Sequence, residues 1–315
     1  MKLKLIALAA MLAAGSAQAA IDTGLPNIDP SSTGNGELML NLKWKDTNTT
    51  DGNQSVSAAF DLGITLNDAV TNFNTAGFSQ SWDLSSYGGA FSTFTSAAVM
   101  ANAEMNVIAF DGTGTNPGDT RLLSTTSGIN ATGTSLSLLS GAIPANGNFN
   151  DIFGNVTVNN FLVAVNNSAS HNSTPNGASN ATAASGFAWF DNGTGMDKFA
   201  NLSSFDSTNK FDGSYAAGSG ILSGQAKALP FYMVVASSTD PTQKATMTPF
   251  GYDLDGDGVI EFGNADGLNE YGLWTLQGST LTYSVAAVPE AETYAMMLAG
   301  LGLVGFMVRR RRSAI

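Results

Sequence analysis

The chain has 315 residues, a formal net charge of -12, one histidine and no cysteine. Without cysteine it cannot form a disulfide framework, a cysteine-based metal centre or a thiol nucleophile, and one histidine excludes a multi-histidine metal site. The chain has 13 Lys and Arg against 25 Asp and Glu. This balance argues against nucleic acid as a partner, because that binding depends on neutralised phosphates.

The N-terminus is typical of a secretory signal peptide. Lys2 and Lys4 give it a positive start, and residues 5–14 form an apolar run. Ala17 and Ala19 are the small residues that a signal peptidase reads, so we expect that enzyme to cleave after Ala19. The run is too short to remain as a spanning helix.

Alternating hydrophobicity predicts β-strands in the region that follows. Glu37–Trp44 places Leu38, Leu40 and Leu42 on one face of a strand. Other apolar or aromatic runs that favour strands are residues 59–66, 104–110, 161–165, 187–190 and 231–235. Turn-forming residues separate these runs. We therefore expect a mainly β fold, an antiparallel β-sandwich of the jelly-roll kind with minor helix.

Two segments depart from the strand pattern. In residues 89–103 the spacing of Phe91, Phe94 and Ala98 predicts a helix. Residues 166–185 are almost all small and polar, so they cannot bury enough apolar surface to fold alone. We interpret them as a long exposed loop, and they are equally compatible with a hinge between two subdomains.

A run of alternating acidic residues resembles the first nine positions of an EF-hand calcium loop. Its predicted oxygen ligands are, in chain order, Asp253, Asp255, Asp257, Val259 (through its carbonyl), Glu261 and Asn264. Gly258 permits the sharp turn. Asn264 stands where the loop normally has a bidentate Glu, which predicts a Ca²⁺ affinity in the weaker, extracellular range. The alternative is an Asp/Gly turn that binds no metal.

The clearest hairpin follows that loop. Leu273–Gln277 and residues 280–286 flank the pair Gly278-Ser279, which suits a two-residue type II′ turn. Trp274 and Leu276 then share one face of the first strand.

The C-terminus carries a second export signal. Val288-Pro289-Glu290 is followed by an uncharged apolar segment, residues 293–308, and then by four consecutive arginines. We predict that residues 293–308 form a C-terminal transmembrane helix, which at 16 residues is just short of the usual length. The arginines, Arg309, Arg310, Arg311 and Arg312, would hold the C-terminal side in the cytoplasm. The N-terminal signal delivers everything before the segment to the opposite side.

This tail resembles the PEP-CTERM sorting signal of exported proteins from Gram-negative bacteria. Ala291 departs from that pattern, since the family has a second proline there. The resemblance implies an exosortase-type processing enzyme as a partner, anchoring in the inner membrane, and delivery to the cell surface or medium. It also implies a link to biofilm or extracellular polysaccharide.

The sequence thus predicts three parts: a signal peptide over residues 1–19, a β-sandwich body over 20–287, and a sorting tail over 288–315. Without its basic ends the body carries seven basic and 23 acidic residues, a charge of about -16. We expect a non-enzymatic surface or matrix protein and assign no catalytic residue.

Two alternatives stay open. The first is a carbohydrate-binding module or adhesin, which would use exposed aromatic residues; the four tryptophans are Trp44, Trp82, Trp189 and Trp274, each more consistent with a core position. The second is a secreted carbohydrate-active hydrolase, for which the spacing of acids singles out no carboxylate pair. The single His171 lies in the polar segment, a poor platform for a catalytic base.

Overall fold

The computed structural model describes the chain in separate ranges. These are residues 20–26, 32, 34–44, 56–87, 89–94, 104–112, 120–125, 145–147, 156–167, 177–181, 215–216, 227–254, 256–258, 260, 269–287 and 299–301. The strands are β1 (Glu37–Trp44), β2 (Val56–Thr65), β3 (Ser79–Asp83), β4 (Glu104–Asp111), β5 (Arg121–Thr125), β6 (Ala178–Ala181), β7 (Tyr215–Ala216), β8 (Lys227–Val235), β9 (Thr246–Pro249), β10 (Leu273–Gln277) and β11 (Thr280–Ser284). The α-helices are α1 (Leu66–Asn72) and α2 (Val156–Asn166), and Leu84–Ser86 and Ser92–Phe94 form 3₁₀ turns.

The strands form one continuous antiparallel sheet. Its order is β3-β11-β10-β8-β5-β4-β1-β2-β6, with β7 added to β4 and β9 added to β8. The sheet curls until its ends nearly meet: the Trp82 indole N–H donates to the carbonyl of Leu62, and the Tyr87 hydroxyl to that of Asp61, both at 2.9 Å. The predicted mainly β, antiparallel fold is confirmed. The structure differs from the predicted sandwich, because one nearly closed barrel replaces two facing sheets.

An aromatic cluster fills the barrel around Phe73, which directly follows α1. The Phe73 ring stacks on Tyr283 with a centroid distance of 4.2 Å, and the Tyr283 hydroxyl donates to the Phe73 carbonyl at 2.9 Å. Trp274 and Phe231 pack edge to face beside them, 5.6 Å apart. All four side chains are fully buried, so this cluster joins strands that are far apart in sequence.

The N-terminal segment and α2 form a layer outside the sheet. Ile21 and Asn166 exchange two hydrogen bonds, in which the Ile21 N–H donates to the Asn166 side chain (3.0 Å) and its carbonyl accepts from it (2.9 Å). Gly24, at φ +63°, lies so close to strand β4 that a Cβ there would be 1.9 Å from the Phe110 carbonyl oxygen. The outward face of β1 is buried as well as its inward face, since Met39 and Asn41 are 1% and 0% exposed.

Most predicted strands are confirmed, with shifted ends. β1 has the predicted bounds, β4 extends one residue further, and the run 231–235 is the second half of β8. The hairpin of β10 and β11 is also confirmed, and Gly278 alone among its turn residues has a positive φ, +57°, as a type II′ turn requires. The predicted strand at 59–66 begins earlier, at Val56, and ends where Leu66 starts α1.

The apolar run at residues 161–165 is helical, so its assignment as a strand was wrong. Phe161, Leu162 and Val165 are buried whereas Val163 is 42% exposed, which is the spacing of one helix face. A run of five apolar residues cannot distinguish a strand from a buried helix. The predicted exposed loop at 166–185 was wrong at one point, because Ala178–Ala181 pairs with β2.

Other sequence predictions fall partly or wholly outside the described residues. Of the helix predicted at 89–103, only 89–94 are described; they contain a 3₁₀ turn, with Phe91 and Phe94 buried. The run 187–190, His171 and the tail from 288 to 298 lie outside. Among the described residues no helix is long and apolar enough to span a membrane.

Replacing Phe73 by alanine should destabilise the barrel strongly. The change removes a fully buried ring that contacts five other aromatic side chains, and such truncations cost about 3–5 kcal/mol. Urea unfolding of Phe73→Ala beside the exposed-site control Val163→Ala measures this. A loss no larger than that of the control would contradict the central role of the cluster.

Candidate functional site

The acidic loop lies between β9 and β10, the two strands that pair with the same edge of β8. β9 pairs with Tyr232–Val235 and β10 pairs with Lys227–Pro230, so the two strands lie end to end along β8. Phe250 continues β9, since its N–H donates to the Phe231 carbonyl at 2.8 Å, and the Gly272 N–H donates to the Phe250 carbonyl at 2.8 Å. β9 and β10 thus form an almost continuous strand beside β8. The chain between Phe250 and Gly272 leaves this strand and returns to it, and we call this part the excursion.

A short antiparallel neck closes this excursion at its base. Gly251 bridges to Tyr271, and the Tyr252 N–H donates to the Glu270 carbonyl at 2.9 Å. The fully buried Glu270 side chain accepts from the Leu254 N–H at 2.8 Å. Both the backbone and the carboxylate of Glu270 thus fix the start of the acidic loop.

Asp253 organises the loop beyond the neck. One carboxylate oxygen accepts from the Gly256 N–H at 2.6 Å and the other from the Gly258 N–H at 2.8 Å. Gly256 and Gly258 have φ values of +81° and +89°, which favour glycine and allow the tight winding. The first predicted ligand therefore also shapes the loop around itself.

The structure describes only two of the six predicted calcium ligands. Of the predicted ligands, Asp253 and Asp257 are described, and Asp257 is exposed; Asp255, Val259, Glu261 and Asn264 lie outside the described residues. Within the described part of the chain, no three acidic or histidine side chains come together in a metal-binding group. Oxygen donors of this kind suit Ca²⁺, and metal binding here stays a prediction.

The residues of the two predicted export signals also lie outside the described part. These are Ala17 and Ala19 of the predicted cleavage site, Val288, Pro289 and Glu290 of the motif, and Arg309, Arg310, Arg311 and Arg312. The structure does describe both points at which the ends join the barrel. Residues 20–26 lie in the outer layer, and the backbone from β11 continues to Ala287.

Two buried carboxyl groups, which sequence reasoning did not pair, lie at a bulge between β1 and β2. Glu37 and Asp61 flank the point where the register shifts, and they are 5% and 0% exposed. Glu37 accepts from the Asp22 N–H at 2.8 Å, and Asp61 accepts from the Gly63 N–H at 2.8 Å. The other Asp61 oxygen is buried without a hydrogen-bond partner.

Burial shifts both groups toward the neutral acid. It raises the pKa of Glu37 to about 8, and the neighbouring Asp61 acts in the same direction. Burial raises the pKa of Asp61 to about 6. In sequence each acid occupies an outward position of a predicted strand, but the alternating pattern gives no sign that this outward face is covered.

Comparison with known proteins identifies only the tail. A family model described as the PEP-CTERM protein-sorting motif matches residues 287–312. No curated protein and no solved structure matches the chain. The predicted resemblance to PEP-CTERM proteins is therefore confirmed for residues 287–312.

The pair Glu37 and Asp61 should make the barrel less stable in alkaline solution. A carboxyl group whose pKa is raised on folding stabilises the fold fully below its ordinary value near 4, and this contribution disappears as the pH rises through the folded pKa. We expect the Tm to fall between about pH 5 and pH 9, by at least several degrees, since one pKa unit is about 1.4 kcal/mol. Thermal melting across this range measures the effect.

Glu37→Gln provides the matching variant, because glutamine stays neutral and keeps an oxygen for the Asp22 N–H. Its Tm should exceed that of the wild type at pH 9, with a flatter pH dependence. Asp68→Asn is the control, an exposed carboxylate in α1 whose replacement keeps an acceptor for Thr65. Parallel pH curves for wild type and Glu37→Gln would contradict the assignment.

Proposed function

We propose that this chain is a non-enzymatic surface or extracellular-matrix protein of a Gram-negative bacterium, associated with biofilm or exopolysaccharide. The observation that carries the proposal is the sorting motif at residues 287–312. The motif makes the chain an exported protein that an exosortase sorts to the cell surface. The nearly closed barrel is the part that would remain there.

In this proposal a signal peptidase reads Ala17 and Ala19 and releases the N-terminus after export. Residues 293–308 hold the chain in the inner membrane, with Arg309–Arg312 on the cytoplasmic side. The exosortase then acts near Val288-Pro289-Glu290 and transfers the barrel to its destination. A body charge of about -16 would keep the released chains soluble and apart.

The surroundings of Glu37 and Asp61 support a role without catalysis. Two carboxyl groups whose pKa values are pushed apart often serve as catalytic acid and base. Here both are at least 95% buried, and Glu37 is bonded to the N-terminal segment, so a polysaccharide would have no access to them. We assign the pair a structural role.

The carbohydrate-binding alternative would use exposed aromatic faces. Of the four tryptophans, Trp82 and Trp274 are 8% and 0% exposed and belong to the core, whereas the side chains of Trp44 and Trp189 lie outside the described part of the chain. A glycan array with the purified protein separates the two ideas, because tight binding to one class of glycan favours a binding module.

We further propose that the acidic loop binds Ca²⁺ and that the ion has a structural role. Asp253 already winds the loop, and Glu270 fixes its neck against β8. Close carboxylates repel one another until a cation neutralises them. The ion would therefore stabilise the excursion between β9 and β10.

Calcium should raise the melting temperature. With a Kd of about 0.1–1 mM, 10 mM Ca²⁺ would add about 1.4–2.7 kcal/mol, or a few degrees in Tm, relative to EDTA. Asp255→Ala should remove this difference, whereas Asp240→Asn, an exposed acid outside the loop, should keep it. Equal melting points with Ca²⁺ and with EDTA would remove the metal site.

Removing the tail should change where the protein is found. A chain that ends at Ala287 keeps the whole described barrel but lacks the membrane segment and the arginines. We expect it to accumulate as a soluble exported protein instead of reaching the cell surface, as fractionation and surface labelling would report. Unchanged surface labelling of the truncated chain would refute the sorting role.

A further inference from the structure

The point at which the tail leaves the barrel is tightly fixed. After β11, the Val285 N–H donates to the Phe78 carbonyl, and the Ala286 carbonyl accepts from the Gly77 N–H, both at 2.9 Å. Ala287 lies directly beside Gly77, since a Cβ placed on that glycine would be 3.5 Å from the Ala287 Cβ. The sorting motif begins at this same residue 287. The motif therefore starts in contact with the barrel wall, without a spacer.

The turn beside the point where the tail leaves the barrel is held by packing and hydrogen bonds. We call the turn 74–77 together with Ala287 the exit rim. Phe73 and Phe78 anchor the turn in the aromatic cluster on either side, and the Phe78 N–H donates to the Thr75 carbonyl at 3.0 Å. The Asn74 side chain accepts from the Gly251 N–H at 3.1 Å, which ties the rim to the neck of the acidic loop. To free one more residue of tail, an enzyme would have to break the hydrogen bond between Gly77 and Ala286.

The chain length beyond the rim limits how far the barrel can stand from the membrane. Thr293, where the apolar segment begins, is seven residues beyond Ala286. Even fully extended they span only about 25 Å. An enzyme in the membrane that takes hold of residues 288–290 must therefore approach the rim closely.

The surface chemistry of the rim fits such an approach by a protein. The turn consists of Asn74, Thr75, Ala76 and Gly77, all uncharged, and all but Ala76 are exposed. Small neutral side chains allow a second protein to come close without the desolvation of a charge. An anionic lipid surface would instead require basic residues, and the turn has none.

We propose that the exit rim is a contact surface for the membrane-embedded processing enzyme, so that the enzyme recognises the rim together with the tail motif. This inference rests on the proposed function, because it assumes that the tail is processed. It adds that the folded barrel is part of the substrate. Substrate processing should then depend on the rim at the native spacing and become independent of it when a spacer is inserted.

The experiment follows processing of the full-length chain by pulse-chase labelling in the bacterium that encodes it. Thr75→Arg and Thr75→Glu both enlarge an exposed side chain on the rim. Gln277→Arg is the matched control, because Gln277 is exposed at the opposite end of the β10–β11 hairpin. Each variant is also made with about eight Gly and Ser residues, a flexible spacer, inserted between Ala287 and Val288. Protease resistance of the membrane-bound chains confirms that the barrels are folded.

We expect both Thr75 variants to be processed about tenfold more slowly than the wild type at native spacing, the effect of losing about 1.4 kcal/mol in the transition state. With the spacer they should match the wild type, and Gln277→Arg should be unaffected in both settings. Wild-type rates for both Thr75 variants, or equal slowing with and without the spacer, would overturn the inference. Faster processing of Thr75→Arg with slower processing of Thr75→Glu would also overturn it, in favour of a lipid surface. An unprocessed wild-type chain would instead refute the proposed function.

Discussion

Strand β8 is the element on which the rest of the barrel depends. Its first half pairs with β10 and its second half with β5 and β9, so it joins β3, β11 and β10 to the larger group of strands. Pro230 lies where the partners change and has no N–H to donate. Phe231, the next residue, carries the aromatic cluster into the second half. Without β8 the described sheet would separate into two, and both the acidic loop and the tail exit would lose their support.

The sequence predicted what local pattern controls. Alternation predicted β1, an apolar run predicted β4, and the turn pair Gly278-Ser279 predicted the β10–β11 hairpin. It failed where tertiary contacts decide. The second face of β1 is covered by residues 20–26, so Glu37 is buried although the pattern marks it as outward. The run 161–165 could be a buried strand or a buried helix by its composition, and only the structure shows that it is helical.

The candidate site was predictable only in part for the same reason. The spacing of Asp253, Asp255 and Asp257 predicts a calcium-type loop from the sequence alone. Glu270, which fixes the neck of that loop, lies beyond the motif in sequence. Its role depends on the pairing of β9 and β10 along β8, which only the structure shows. The contact between Ala287 and Gly77 links positions 210 residues apart, a separation that no local pattern reports.

These features fit the proposed export and release of the barrel. An exported chain without cysteine must be held by its core, and here one aromatic cluster and one shared strand provide that hold. The two predicted export signals adjoin parts of the barrel that the structure describes, residues 20–26 in the outer layer and Ala287 at the exit rim. In the proposed route, cleavage after Ala19 and processing near residues 288–290 would therefore both take place next to folded structure.

The most direct test of this account is the mass and terminal sequence of the protein recovered from the cell surface or medium. The account predicts a chain that begins at Ala20 and ends before the apolar segment at Thr293, without Arg309–Arg312. A surface form that retains residues 1–19 or the complete tail to Ile315 would contradict it.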